Sequence, residues 1–133
     1  MSVTNVRSQW VAGNLEFVKS SDQSKVGGIP AISGSTTVAA AGLVIPVTHR
    51  FVAKTTGAGG EALTLADGVP GQLITISLVV DGGDGTLTPA TCTGFATIVF
   101  ADAKDTATLL YIDDTIGWVL MGYYGTAAPP VVS

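Results

Sequence analysis

The larger, C-terminal part of the chain alternates short runs of β-branched and apolar residues with turns rich in glycine, aspartate and proline. In one such run, QLITISLVV at residues 72–80, every second side chain lies on one face of a strand, which groups Ile74, Ile76, Leu78 and Val80. Strands of this length with regularly spaced turns are typical of antiparallel sandwiches, jelly rolls and barrels. No stretch has the pattern of a helix longer than a turn or two. The sequence therefore predicts an all-β domain, an antiparallel β-sandwich of the jelly-roll kind or a β-barrel.

The composition changes along the chain and predicts three segments. The first thirty residues hold only small apolar islands between polar residues, too sparse to close a core of their own. The stretch that follows is rich in glycine, alanine and serine, which break regular structure. We therefore predict an extended N-terminal arm and small-residue linker over residues 1–42, an antiparallel β domain over 43–126 and a C-terminal tail over 127–133.

Charged residues are scarce. They make up 12% of the 133 residues, whereas about a quarter is usual in a soluble domain. In addition, the runs LITISLVV and TATLLYI are apolar on both faces of the predicted strands, so each needs a cover on both sides. A second subunit supplies such a cover. These patterns predict that the protein associates with copies of itself.

The charges that are present exclude several partners. Residues 1–60 carry five basic and two acidic side chains, and residues 61–133 carry one basic and eight acidic. The acidic part argues against nucleic acid, whose phosphates need clustered lysine and arginine. The N-terminus has no apolar segment of the secretory kind, and no run approaches the length of a membrane span. We therefore expect a protein that is made and used without classical export, with no membrane partner.

The stretch VVDGGDGTLTP, residues 79–89, has the glycines and aspartates of a cation or phosphate loop. Its spacing fits neither a calcium-binding repeat nor a P-loop, because the ligand positions and the final lysine are missing. Asp-Gly pairs instead favour the positive φ of a tight hairpin connection. We interpret the stretch as a turn, with a weak exposed cation site as the alternative, and expect no tightly bound Ca²⁺ at Asp81 and Asp84.

The remaining reactive side chains do not form a catalytic set. His49 is the only histidine, which excludes a multi-histidine metal site, and we interpret it as structural or interfacial. Cys92 is the only cysteine, which excludes an internal disulfide, and it is interpreted as a buried, inert thiol. The carboxylates near strand ends are interpreted as solvated turn residues rather than a glycosidase pair. These are Asp102, Asp105, Asp113 and Asp114. We expect no enzymatic activity, no cofactor and no metal.

The aromatic residues near the C-terminus leave two interpretations open. Trp118, Tyr123 and Tyr124 either pack in the core and at an interface, which is the simpler interpretation, or form a platform on which a sugar ring stacks.

Residues 61–125 resemble a module found in structural proteins of tailed bacteriophages. The similarity lies in the turns LTLADG.PGQ and VDGGDGTLTP, in the strand pair T.I.F.D..D.ATL.Y and in the closing strand GW.L.G..G. The opening VRSQWVAGNLEF also looks like the start of small phage head proteins. The resemblance implies a trimeric, all-β capsid decoration (cement) protein on the outer surface of the virion head. Its partners would be the major capsid protein and itself, and it would hold the shell against DNA pressure from positions between capsomers.

The alternative is a head or tail fibre or tailspike component that binds a host-surface glycan. In the decoration interpretation the N-terminal arm attaches the protein to the capsid or to a neighbouring subunit, because the arm cannot bury its own apolar residues. The residues expected to anchor it in a groove of the capsid or of a neighbouring subunit are Arg7, Trp10, Leu15 and Phe17.

Overall fold

The computed structural model describes residues 8–11, 14–17, 32–125 and 131–133, which form strands and loops and include no helix. The chain divides into two compact units, residues 1–31 and 32–133. In the first unit, strand β1 (Ser8–Val11) pairs antiparallel with β2 (Asn14–Phe17). Strand-forming residues occur in each strand, Trp10 and Val11 in β1 and Phe17 in β2, in keeping with their preference for extended backbone.

The second unit contains two sheets of five strands each. The first sheet has the strand order β11-β10-β7-β5-β3, and the second sheet has the order β12-β9-β8-β6-β4. The strands of the first sheet are β3 (Ser33–Val38), β5 (His49–Thr55), β7 (Leu73–Val80), β10 (Thr106–Tyr111) and β11 (Trp118–Tyr124). Those of the second sheet are β4 (Val44–Ile45), β6 (Glu61–Leu65), β8 (Gly85–Pro89), β9 (Ile98–Phe100) and β12 (Val131–Val132).

From β3 to β8 the chain crosses between the two sheets at every turn. Strands β3, β5 and β7 therefore become parallel neighbours in the first sheet, and β4, β6 and β8 become parallel neighbours in the second. The successive pairs β3–β4, β5–β6 and β7–β8 stack on one another as in a short solenoid, and we call each pair one coil of the sandwich. Strands β9 to β12 then add to both sheets by antiparallel pairing.

The prediction of an all-β sandwich is confirmed, and neither sheet closes into a barrel. The prediction that all strands are antiparallel is wrong for the first half of the domain. Antiparallel neighbours arise when a turn joins two strands of one sheet, as between β10 and β11. The turns between β3 and β8 join opposite sheets, so strands two apart in sequence pair instead.

The core lies between the inner faces of the two sheets. The alternation predicted for residues 72–80 is confirmed for Ile74, Ile76 and Leu78, each at most 1% exposed. Val80 is an exception at 54% exposed, because the pairing of β5 with β7 shifts register at Lys54. The remaining buried hydrophobic side chains are Ile45, Val52, Leu63, Leu65, Leu87, Ile98, Phe100, Ala107, Leu109, Tyr111 and Trp118.

The boundaries of the sandwich are wider than the segment predicted from composition. Residues 33–38, within the predicted linker, form the edge strand β3, in which Ser35 pairs with Phe51. At the other end, β12 lies within the predicted tail and pairs with β9 through Val131 opposite Val99. The small residues of 33–38 are compatible with an edge strand because that strand buries little side-chain surface.

Candidate interaction surface

The turn at residues 81–84 is an arch between the sheets rather than a hairpin. The backbone N–H of Gly82 donates to Thr56 Oγ1 at 3.1 Å. A Cβ atom at Gly82 would collide with the carbonyl oxygen of Thr56, and one at Gly83 would lie 2.8 Å from that of Gly57. The glycines are needed because two arches approach each other closely.

The predicted reason for these glycines, a positive φ, is therefore wrong. The glycines that do have positive φ lie elsewhere, at Gly59, Gly60, Gly71, Gly94 and Gly117. The aspartates of the arch, Asp81 and Asp84, are exposed to solvent.

Residues 8–11, 14–17, 32–125 and 131–133 contain no group of three or more His, Cys, Asp or Glu side chains placed to hold a metal ion. The same residues contain no helix long and apolar enough to cross a membrane.

A buried ion pair joins β5 to β6 and is hydrogen-bonded to the connection after β3. Lys54 lies on the inner face of β5, 1% exposed, and its ammonium is 2.6 Å from Glu61 Oε1. The same ammonium donates to the carbonyl oxygens of Ala39 at 2.9 Å and Gly42 at 2.8 Å. All three N–H donors of the lysine are thus satisfied, which a buried ammonium requires.

Glu61 is held in its ionised form by three donors. Its second oxygen accepts the backbone N–H of Ala41 at 3.0 Å and of Gly57 at 2.6 Å. The hydrogen bond from Ala41, followed by those from Lys54 and Gly57, lowers the pKa of the Glu61 carboxyl from 4.5 to about 2. Sequence reasoning missed this pair. The available signal was that Lys54 shares the strand face of Val52, which is apolar and buried.

The carboxylates near strand ends have different roles. Asp113 is exposed, and its side chain accepts the backbone N–H groups of Thr115 and Ile116, as predicted for a turn residue. Asp105 is 1% exposed, so its predicted solvation is wrong. Its Oδ2 accepts the N–H groups of Ala101 and Asp102, so the carboxylate closes the turn from inside. Its other oxygen, Oδ1, has no hydrogen-bond partner among the described residues.

The aromatic residues divide between core and surface. Trp118 is fully buried, donates from Nε1 to the carbonyl oxygen of Ala66, and packs edge-on against Tyr111 with ring centres 5.2 Å apart. Burial and a hydrogen bond to Asp114 raise the pKa of Tyr111 to about 12. A stacking platform that includes Trp118 is therefore excluded. Tyr123 and Tyr124, on the edge strand β11, are 53% and 62% exposed.

His49 and Cys92 are both half-buried. His49 Nδ1 lies 3.0 Å from the hydroxyl of Thr48. The thiol of Cys92 donates to the carbonyl oxygen of Phe95, and desolvation raises its pKa. A raised pKa leaves little thiolate at neutral pH, which is the property of an inert rather than a reactive cysteine.

The outer face of the first sheet carries no aspartate, glutamate, lysine or arginine side chain, and His49 lies on it at the start of β5. Its five strands contain only two charged residues, Arg50 and Lys54, and both lie on the side of β5 that carries the buried Val52. We call the side chains of β3, β5, β7, β10 and β11 that point away from the core the uncharged face. They include Phe51, Leu73, Thr75, Ser77, Val79, Thr106, Thr108 and Leu110. The other charged residues of 32–133, apart from Glu61, lie in connections between strands.

Hydroxyl groups in the middle of the uncharged face bond to each other. The hydroxyls of Thr75 and Thr108 are 2.8 Å apart, and Ser77 and Thr106 form a second pair at the same distance. Each pair joins the central strand β7 to β10. Thr106 also donates to the carbonyl oxygen of Lys104 at 2.9 Å, so the Ser77–Thr106 pair can be covered without leaving a donor unpaired. The Thr75–Thr108 pair leaves one hydroxyl proton for a covering partner to accept.

The predicted anchors of the N-terminal arm belong to the first unit. The structure places Trp10 opposite Leu15 and Ser8 opposite Phe17 in the β1–β2 pair. Arg7 lies outside the described residues.

Comparison with protein-family models finds none that matches the chain. Comparison with curated proteins finds none that is significantly similar to it.

Proposed function

We propose that this protein is a bacteriophage capsid decoration (cement) protein, which binds the outer head surface between capsomers as a trimer and stabilises the shell against DNA pressure. The observation that carries the proposal is the division of the chain into a small N-terminal unit and a β-sandwich with an uncharged outer face. A cement protein needs one part that attaches to the shell and another through which copies hold together. The resemblance of residues 61–125 to a module of phage structural proteins is the second support.

The two parts would act together through avidity. A trimer presents three arms, and once one arm is bound the others bind at high effective concentration. Large aromatic residues at the centre of an interface commonly contribute most of its affinity. Trp10 is therefore assigned the main anchoring role in the arm, with Leu15, Phe17 and Arg7 beside it.

The test is a binding assay with purified heads that lack the protein. The wild-type chain is mixed with the heads, the heads are pelleted, and the bound fraction is measured. We expect deletion of residues 1–30 to abolish binding and Trp10→Ala to weaken it about tenfold or more. Asp84→Ala, at the exposed arch, is the matched control and should bind like the wild type. Full binding by the truncated chain would rule out the arm as the attachment device.

A second candidate is a fibre or tailspike component that binds a host-surface glycan. The observation in its favour is the exposure of Tyr123 and Tyr124 on edge strand β11, since tyrosine rings stack on sugars. The copy number per virion separates the two candidates. A decoration protein is present at a number comparable with that of the capsomers, whereas a fibre or tail component is present in far fewer copies.

A further inference from the structure

We propose that the uncharged face is the surface through which the three copies of the proposed trimer associate, and that the face of each copy turns towards the three-fold axis, where the three faces cover one another. This inference rests on the proposed self-assembly of the protein but not on its attachment to heads. It assigns a place to the apolar strands LITISLVV and TATLLYI, which form the neighbouring strands β7 and β10 of this face.

The chemistry of the face suits a partner of the same composition. The hydroxyls in its centre are paired with each other, as in Thr75 with Thr108. Exposed apolar side chains surround this centre, including Leu73 at 51% and Val79 at 44% exposure. An uncharged partner can cover such a surface without burying an unpaired charge, which is the costliest event at an interface.

The distribution of charge also favours a second copy. The connections between strands carry Lys104 against seven aspartates, so the two ends of the sandwich repel their counterparts in another copy. Copies that meet through the uncharged face bury no carboxylate there, because the face contains none. A basic partner would instead be attracted to the acidic ends.

The area of the face is sufficient for a specific contact. Five strands about 4.8 Å apart and about seven residues long cover roughly 24 by 23 Å, or about 550 Å². Three such faces bury about 1,650 Å² in total, which lies within the ~1,200–2,000 Å² of a standard specific interface. The second sheet also has an uncharged outer face, but its strands are only two to five residues long. The first sheet therefore offers the larger surface.

The experiment places charges at the centre of the face. Ser77 lies outward on the central strand β7, so Ser77→Lys or Ser77→Glu brings like charges together wherever two faces meet. Sedimentation equilibrium on the full chain should show association of the wild type and about 100-fold weaker association of each variant. An equal mixture of the two variants should associate again, because lysine then faces glutamate. Thr64→Lys, outward on the second sheet, is the matched control and should associate like the wild type.

Three results would overturn the inference. The first is association of Ser77→Lys at wild-type strength, and the second is dissociation by Thr64→Lys alone. The third is a wild-type chain that stays monomeric at all concentrations, which also removes the proposed trimer. The head-binding assay reports on attachment separately, so the two failures can be told apart. If near-ultraviolet circular dichroism shows that Ser77→Lys does not fold, Val79→Lys, at an exposed position of the same face, decides the question in the same assay.

Discussion

Lys54 is a charged side chain on the inner face of a sheet, where an unpaired ammonium would be strongly destabilising. Glu61 neutralises it, and the carbonyl oxygens of Ala39 and Gly42 complete its hydrogen bonds. Glu61 in turn binds the backbone of the connection after β3 and of the connection after β5. The pair therefore holds one coil of the sandwich on the next, a task that backbone pairing performs only within each sheet.

This pair predicts a specific dependence of stability on pH. The pKa of Glu61 is lowered in the folded protein from 4.5 to about 2, so its ionised form contributes to stability fully above pH 4.5. That contribution is lost as the pH falls from 4.5 towards 2, because the carboxylate becomes protonated. We expect Glu61→Gln to be less stable than the wild type at neutral pH, and the difference to shrink across this interval. Urea unfolding of both proteins at several pH values measures it. A difference that is constant with pH would contradict the assigned role of Glu61.

The elements of the fold show what the sequence alone can and cannot predict. The identity of the strands is largely local information, because alternation of side chains marks the buried face, as in Ile74, Ile76 and Leu78. The pairing of the strands is not local. A turn rich in glycine and aspartate can reverse the chain within one sheet or cross to the other sheet, and the residues that pack beneath the turn decide between the two. The turn at residues 81–84 packs on Thr56 and Gly57.

The candidate interaction surface was predictable to the same degree. Strands that are apolar on both faces indicated that the outer side needs a cover. These strands are β7 and β10, which are neighbours, so the cover is needed on the outer face of the first sheet. The ion pair of Lys54 with Glu61 was not predictable, because the two residues meet only if the connection after β5 crosses to the second sheet. The burial of Asp105 was missed for a similar reason, since its backbone partners become available only when the turn has closed.

The arch between β7 and β8 lies so close to the connection after β5 that a larger residue at Gly82 should destabilise the fold. A Cβ atom at Gly82 would strike the carbonyl oxygen of Thr56, and backbone atoms cannot rotate away as a side chain can. We expect Gly82→Ala to lower the free energy of unfolding by about 1–3 kcal/mol. Gly34→Ala on edge strand β3 is the control, because a Cβ atom there meets no atom within 4 Å. Chemical denaturation measures both, and equal effects would show that the close approach of the arches is not what requires glycine.

At the scale of the whole molecule, the charges and the apolar surfaces are separated. The core joins the two sheets, the outer face of each sheet is uncharged, and the aspartates are confined to the connections and so lie at the two ends of the strands. This separation is the basis of the proposed association through the uncharged face, which leaves the acidic connections outside the contact. The other unit of the chain comprises residues 1–31.

The two ends of the chain are therefore expected to respond differently to truncation. The buried core of the described residues lies between Ile45 and Trp118, so a chain that starts at Ile32 should keep its free energy of unfolding within about 0.5 kcal/mol. A chain that ends at Gly125 loses β12, which pairs with β9 and whose neighbour Ser133 exchanges backbone hydrogen bonds with Thr97. Loss of these bonds and of the packing of β12 should cost about 1–3 kcal/mol.

Thermal and urea unfolding of both truncated chains, followed by circular dichroism, measure these changes. If removal of the N-terminal segment unfolds the sandwich while removal of β12 has no effect, the N-terminal segment is part of the folding unit. It would then not be the separate attachment arm that the proposed function requires.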